Sequence, residues 1–196
     1  MEHPGIPRPL ELVRQRRNRN LRITLRPFQA IRVSAPPTLA TKRIQVFLDS
    51  RRDWILKQLD VVRRKEALIL GRVASLGPQS RSCIDRRLNE ELRDLAAGLG
   101  VPLKRISYRN QSSRWGSCSA RGSINLNRAL ILLPDHLRRY VMLHELVHLQ
   151  HPNHGNRFWN ALDKVYPGAR SADRELSAYA IPPANLFLAE LHQRIH

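Results

Sequence analysis

The stretch H-E-L-V-H-L-Q-H-P-N-H, residues 144–154, decides how the rest of the chain reads. It holds His144, His148, His151 and His154, four of the eight histidines in 196 residues. On a helix, at about 100° per residue, His148 lies about 40° around from His144 and one turn along. Two imidazoles at that spacing can share one zinc ion at ~2.0–2.1 Å per bond. Glu145 stands beside the pair, where a general base acting on a metal-activated water belongs. His151 has the right helical phase but would lie ~10.5 Å along the axis from His144, beyond the reach of one ion. Pro152 disfavours helical backbone at His151 and ends the helix. Asn153 and Gly155 suit a turn, with Asn153 a candidate cap for the next helix. The turn returns His154 toward the metal, giving three protein ligands and an open fourth position, as catalytic zinc sites have. His151 is left at the rim. Glu175, in RSADRELSAYA (170–180), is a rival third ligand, since a later helix can also supply one.

The surroundings fit this reading. Pro134 suits the first position of a helix and Asp135 its positive end. Leu137, Val141, Met142, Leu143, Leu146 and Leu149 make that helix apolar nearly all round to about Gln150, so it is expected to be buried and central. Buried histidines and a buried Glu need a compensating partner. A second helix is expected near His154–Tyr166, with Phe158 and Trp159 packed so as to hold it, and His154 with it. Further helices are expected at 171–180 and 184–195.

Upstream, LRITL (21–25) and AIRVSA (30–35) alternate apolar and polar residues, the period of half-buried strands, and the short link between them predicts a hairpin. The basic run RQRRNRN (14–20) lies before or within it. Residues 38–70 have helical period with an internal cap at Asp49 or Ser50, and Trp54 reads as a core anchor beside Ile55, Leu59 and Val62. Residues 71–80 read as a linker and 80–100 as a helix stopped at Gly98 or Gly100. Strands are expected at 104–110 and 123–127, around a turn-rich loop at 110–122. The fold class is therefore α+β: a compact core around the H-E-x-x-H helix, small antiparallel β elements, and an N-terminal hairpin with helices. Residues 1–9 read as a loose tail and 10–196 as one domain, with the hairpin and helices over 10–70 and the core over 80–196.

Apolar residues make up 42%, enough for a packed core, and the formal charge is +18 with a sequence pI near 11.4. Of 34 basic residues 29 are Arg. Such an excess attracts polyanions, so nucleic acid or nucleotide is an expected partner, although net charge bears on association and not on fold. Cys83 and Cys118 form no disulfide framework and no thiolate zinc site, and they suit a reducing cytoplasm. The N-terminus has no apolar h-region of a secretory signal, and no apolar run approaches the ~18 residues of a membrane span, so no membrane partner is expected.

RWGSCSARGSINLN (114–127) and YVMLHELVHLQHPNHGNRFW (140–159) together resemble the YgjP-like zinc metallopeptidases, a group related to the SprT- and WLM-type zincins. VSAP (33–36) and RRDWI (51–55) extend the resemblance more loosely, over roughly residues 12–180. Many members carry a small sheet between the Trp-bearing helix and the next; residues 71–80 are too short for it. The resemblance implies a compact zincin core, His154 as third ligand, and hydrolysis of peptide bonds with Glu145 as general base. Relatives act on proteins attached to DNA, and members have been linked to nucleotide pyrophosphate hydrolysis. Within R-W-G-S-C-S, Arg114 or Ser117 could touch substrate or oxyanion; alternatively Trp115 plugs the core while Gly116 makes a turn. Three functions follow as expectations. One is a zinc peptidase working on proteins or peptides near nucleic acid. Another is a nucleotide phosphoanhydride hydrolase, with Arg114 and Arg121 binding phosphates. The last is a non-catalytic nucleic-acid module with a structural zinc. Cys118 is not needed as a nucleophile where a metal supplies one.

Overall fold

The computed structural model describes residues 3–119 and 121–189. Among them are six α-helices and two three-stranded sheets, an α+β architecture as expected, in two compact units covering residues 1–67 and 68–196.

In the first unit, β1 (Leu10–Arg14), β2 (Arg22–Thr24) and β3 (Ile31–Ala35) form a sheet in the order β1-β3-β2. The β2–β3 hairpin is antiparallel as predicted, but β1 joins β3 in parallel, so the sheet is mixed. Alternation buries Ile31, Val33 and Ala35. The hairpin link bends through Phe28 at φ 60, a conformation L residues rarely adopt. Its N–H donates to Glu66, whose carboxylate also accepts Arg8 Nη2 at 2.7 and 2.8 Å. Helices α1 (Thr41–Ser50) and α2 (Arg52–Leu76) break at Arg51, next to the predicted caps. α2 crosses the unit boundary and takes in most of the expected linker, since one Gly at position 71 costs a helix only about 1 kcal/mol. Trp54 is not a core anchor: it is 46% exposed. Ile55, Leu59 and Val62 define the buried stripe at i, i+4 and i+7, and Trp54 lies about 100° from its first member.

In the second unit only residues 77–80 separate α2 from α3 (Arg81–Gly98), whose first turn is capped by Ser80 Oγ accepting from Cys83 N–H at 3.2 Å. β4 (Arg105–Arg109), β5 (Gly116–Cys118) and β6 (Ser123–Asn127) form a sheet in the order β4-β6-β5. β4 runs parallel to β6 and β5 antiparallel to it. β5 lies inside the stretch expected to be all turn, because three residues are too few to show a period.

The sheet packs on α4 (Asp135–Val147), which buries nine of its thirteen residues. Pro134 stands just ahead of that helix, not within it. Arg138, 3% exposed, ties it to α3 through Nε, which donates to Glu91 at 2.7 Å, while Nη2 donates to Asp135 of the same helix at 2.9 Å. α5 (Asn156–Val165) is capped by Gly155 in extended backbone, not by Asn153, and α6 (Ala169–Leu176) follows. Backbone pairing of Gln79 with Phe187 and Ala189 holds the chain beyond a short 3₁₀ turn at Ala184–Leu186. Residues 190–195 of the helix expected at 184–195 lie outside the described residues. No described helix is long and apolar enough to cross a membrane.

Candidate metal centre

α4 ends at Val147, three residues before the expected Gln150, and His148 occupies its C-cap. The chain then tightens: Leu149 N–H donates to the Leu146 carbonyl and Gln150 N–H to that of Val147, both at 3.1 Å. This places the His151 carbonyl where it accepts from His148 Nδ1 at 3.0 Å. His151 thus serves the site through its backbone. His154 follows the Pro152 turn and points back.

The Nε2 atoms of His144, His148 and His154 stand 3.1, 3.1 and 3.0 Å from one another. Their protons decide what this triangle means. A carboxylate only accepts, so the Tyr140 hydroxyl gives its proton to Asp173 at 3.0 Å and accepts from His144 Nδ1 at 3.3 Å. A carbonyl only accepts, so His148 Nδ1 carries the proton it shares with His151. Both rings then turn unprotonated Nε2 lone pairs toward His154. Burial, followed by its two histidine neighbours, holds His144 down to about 3, in the neutral form a metal ligand needs. Converging lone pairs repel unless a cation sits among them. A tetrahedral ion with bonds of ~2.0–2.1 Å would space the nitrogens about 3.3–3.4 Å apart, so the triangle fits with small relaxation.

Phe158 is the support beneath it. Fully buried on α5, its ring stacks on His148 at 4.4 Å and meets His144 at 4.8 Å and His154 at 4.7 Å edge-on. Trp159 lies further out, 6.3 Å from His154, with Arg170 over its face.

Glu145 is 6% exposed, and its Oε2 has no hydrogen-bond partner among the described residues. Burial pushes its carboxyl up to about 7, with Arg114 pulling the other way. Gly116 lies against it: a Cβ there would stand 2.7 Å from Oε1 and 2.8 Å from Cγ. Gly116 is therefore a strand residue making room for Glu145, and not a turn. Arg114, Ser117 and Cys118 join Glu145 and the three histidines around a cleft of about 330 Å³. Trp115 is half-buried and plugs no core. Arg121 does not line the cleft, and Glu175 is outside the cluster, paired with His136 at 2.9 Å.

Buried Asn127 fixes the loop before β5, donating to the Gln111 and Arg114 carbonyls at 2.7 and 2.8 Å. Sequence reasoning missed Asn127, Tyr140 and Asp173. Tyr140 had a signal, standing four residues before His144 on the same helix face; Asp173 had none. Tyr140→Phe removes the acceptor that sets the His144 tautomer, so zinc affinity is expected to fall about 10–100-fold in a chelator-competition titration. An unchanged affinity would show that the Tyr140–Asp173 pair does not orient the ligand.

A family model described as YgjP-like, metallopeptidase domain, matches residues 19–78 and 72–179. Among solved structures, the chain is similar to the metallopeptidase zymogen of Pyrococcus abyssi abylysin at 27% identity and TM-score 0.41, covering 46% of this chain and 92% of that one. It is also similar to the metallopeptidase zymogen of Methanocaldococcus jannaschii jannalysin at 22% identity and TM-score 0.40, covering 46% and 91%. Comparison with curated proteins finds no match.

Proposed function

This chain belongs to the YgjP-like metallopeptidase family, and from that premise we propose a zinc-dependent peptidase with His144, His148 and His154 as ligands and Glu145 as general base. The observation that carries the reading is the triangle of Nε2 atoms beside a buried carboxylate whose Oε2 is unpartnered. Zinc, when bound, would polarise the scissile carbonyl and make water acidic enough to attack near neutral pH. Glu145 accepts the water's proton at Oε2 and passes it to the leaving nitrogen. In the metal-free protein burial raises its carboxyl to about 7, and a cation held by the three histidines would draw it down toward the ionised form that accepts a proton. Arg114 supplies positive charge beside Glu145. Ser117 Oγ accepts from Asn125 Nδ2 at 3.3 Å and keeps its own proton for a substrate carbonyl. Burial and Glu145 raise the Cys118 thiol, which favours its protonated form and argues against a nucleophilic role.

Two features favour a peptide over a nucleotide. β5 is an edge strand of its sheet and lines the cleft, so an extended peptide can pair with its free side. A polyphosphate calls for several converging cations, and Arg114 is the one Lys or Arg among the described residues lining the cleft. The free, exposed Cys83 suits the reducing cytoplasm as the working compartment.

The test is to load the protein with zinc and offer a casein-like protein and nucleoside triphosphates. Cleavage of the protein alone is expected; turnover of the triphosphates alone would overturn the reading. Gly116→Ala supplies a sharper check. The added methyl must displace the Glu145 carboxylate, and a shift of about 1 Å in a catalytic group can cost about 10²-fold. We expect kcat to fall by about that factor with bound zinc unchanged; full activity would mean that Glu145 need not sit where it does.

A further inference from the structure

Much of the positive charge that stands out in the sequence belongs to the first unit, which does not contain the metal centre. Residues 1–67 hold 16 Lys and Arg against 6 Asp and Glu. Four of those acids are already engaged, Glu66 by Arg8, Glu11 by Arg32, Asp60 by Arg63 and Asp49 by His3. Strand register decides where the remaining cations go. Ile23 faces Val33 on the core side, while Arg22 stands opposite Ser34 and Thr24 opposite Arg32. Alternation therefore turns Arg22, Thr24, Arg32 and Ser34 to the outer face. With Arg26 and Gln29 they line a concavity of about 220 Å³. Arg22 and Arg26 are exposed and have no ion-pair partner among the described residues.

Arg22 also lines a second groove, of about 280 Å³, whose other walls include Phe47, Arg51 and Trp54. The two hollows meet at the short edge strand β2. One offers guanidinium groups interleaved with neutral hydrogen-bonding side chains. The other offers an indole, 46% exposed, that the core does not use. A ligand matching both must present anions and, next to them, a flat unpaired ring. Single-stranded nucleic acid does so, whereas a duplex hides its base faces and an anionic bilayer presents no ring to stack.

We propose that the β2 edge of the first unit binds single-stranded nucleic acid, with phosphates in the arginine-lined hollow and a base on Trp54. The site shares no residue with the metal centre and does not depend on the peptidase reading.

Fluorescence anisotropy with labelled oligo-dT and oligo-rU of about 12 nucleotides, on the zinc-loaded full chain, tests this. Binding of either oligomer is expected, weakening as salt rises. Arg22→Ala/Arg26→Ala is expected to lower affinity about tenfold at low salt and to reduce the salt slope by about 1.4, or ~0.7 for each phosphate no longer neutralised. Trp54→Ala is expected to cost about tenfold with the slope unchanged, and Trp54→Phe to restore most of it. These side chains are exposed and do not line the cleft, so protein cleavage stays at the wild-type rate. Wild-type affinity in both alanine variants would overturn the proposal. So would a preference of the wild type for duplex DNA, for phosphatidylserine-containing vesicles or for polyglutamate over the single strands.

Discussion

Glu145→Gln is expected to abolish peptide hydrolysis while the metal stays bound, with kcat down by about 10³-fold or more. The amide keeps the volume and burial of the carboxylate but cannot accept a proton. General-base catalysis by one side chain contributes about 10²–10⁴-fold, and here the same group also protonates the leaving nitrogen, which puts the loss toward the upper end. The ligand triangle does not include Glu145, so zinc content measured on the purified variant is expected to match wild type. Residual activity within tenfold of wild type, with zinc retained, would remove Glu145 from the mechanism.

The same variant reports on the unpartnered carboxyl in the metal-free protein. Burial raises Glu145 from its ordinary 4.5 to about 7, so the folded state holds a proton that the unfolded state has lost. Stability from this group is fully present below about pH 4.5 and is lost as pH rises through about 7. Relative to wild type, metal-free Glu145→Gln is therefore expected to gain stability between pH 5 and 8, on the order of 3 kcal/mol at the upper end. His144, held low, acts in the opposite direction, losing stability as pH falls from its ordinary 6.5 toward 3, but it is common to both proteins and cancels. A difference in Tm that is flat in pH would mean that the carboxyl is not the titrating group.

How much of this was legible in the chain depends on the range of each interaction. The H-E-x-x-H pair, the Pro152 turn and the return of His154 are set by helical phase and one proline, all within eleven residues. The same holds for the β2–β3 hairpin and the Arg51 break. The parallel partners of β3 and β6 were not legible, because parallel strands meet across a crossover and leave no local mark. Gly116 looked like a turn residue until Glu145 was seen against it, from 29 positions further along the chain. Trp54 reads as a core anchor from its place beside Ile55, Leu59 and Val62, yet the phase of those three puts it about 100° off their buried stripe. Tyr140 and Asp173 act as a pair across 33 residues: helical phase points to Tyr140, but nothing local points to Asp173.

Metal binding is expected to suffer heavily in His154→Ala, with zinc affinity falling by more than the ~10–100-fold that loss of a supporting partner costs. Open zinc sites take three protein ligands, and two leave an ion that a modest chelator removes. The comparison variants give this weight. Glu175→Ala is expected to bind zinc like wild type, since its carboxylate is occupied by His136 at 2.9 Å and lies outside the cluster. His151→Ala is expected to do the same despite its favourable helical phase, because its contribution is the carbonyl that accepts from His148 Nδ1, and alanine retains a carbonyl. The early end of α4 is what separates the two roles: it turns the His151 backbone inward and leaves the ring of His154 to close the triangle. Chelator-competition titrations of the three variants decide the matter. Zinc retained by His154→Ala and lost by Glu175→Ala would reverse the ligand assignment, and loss in His151→Ala would show that its ring, and not its backbone, reaches the metal.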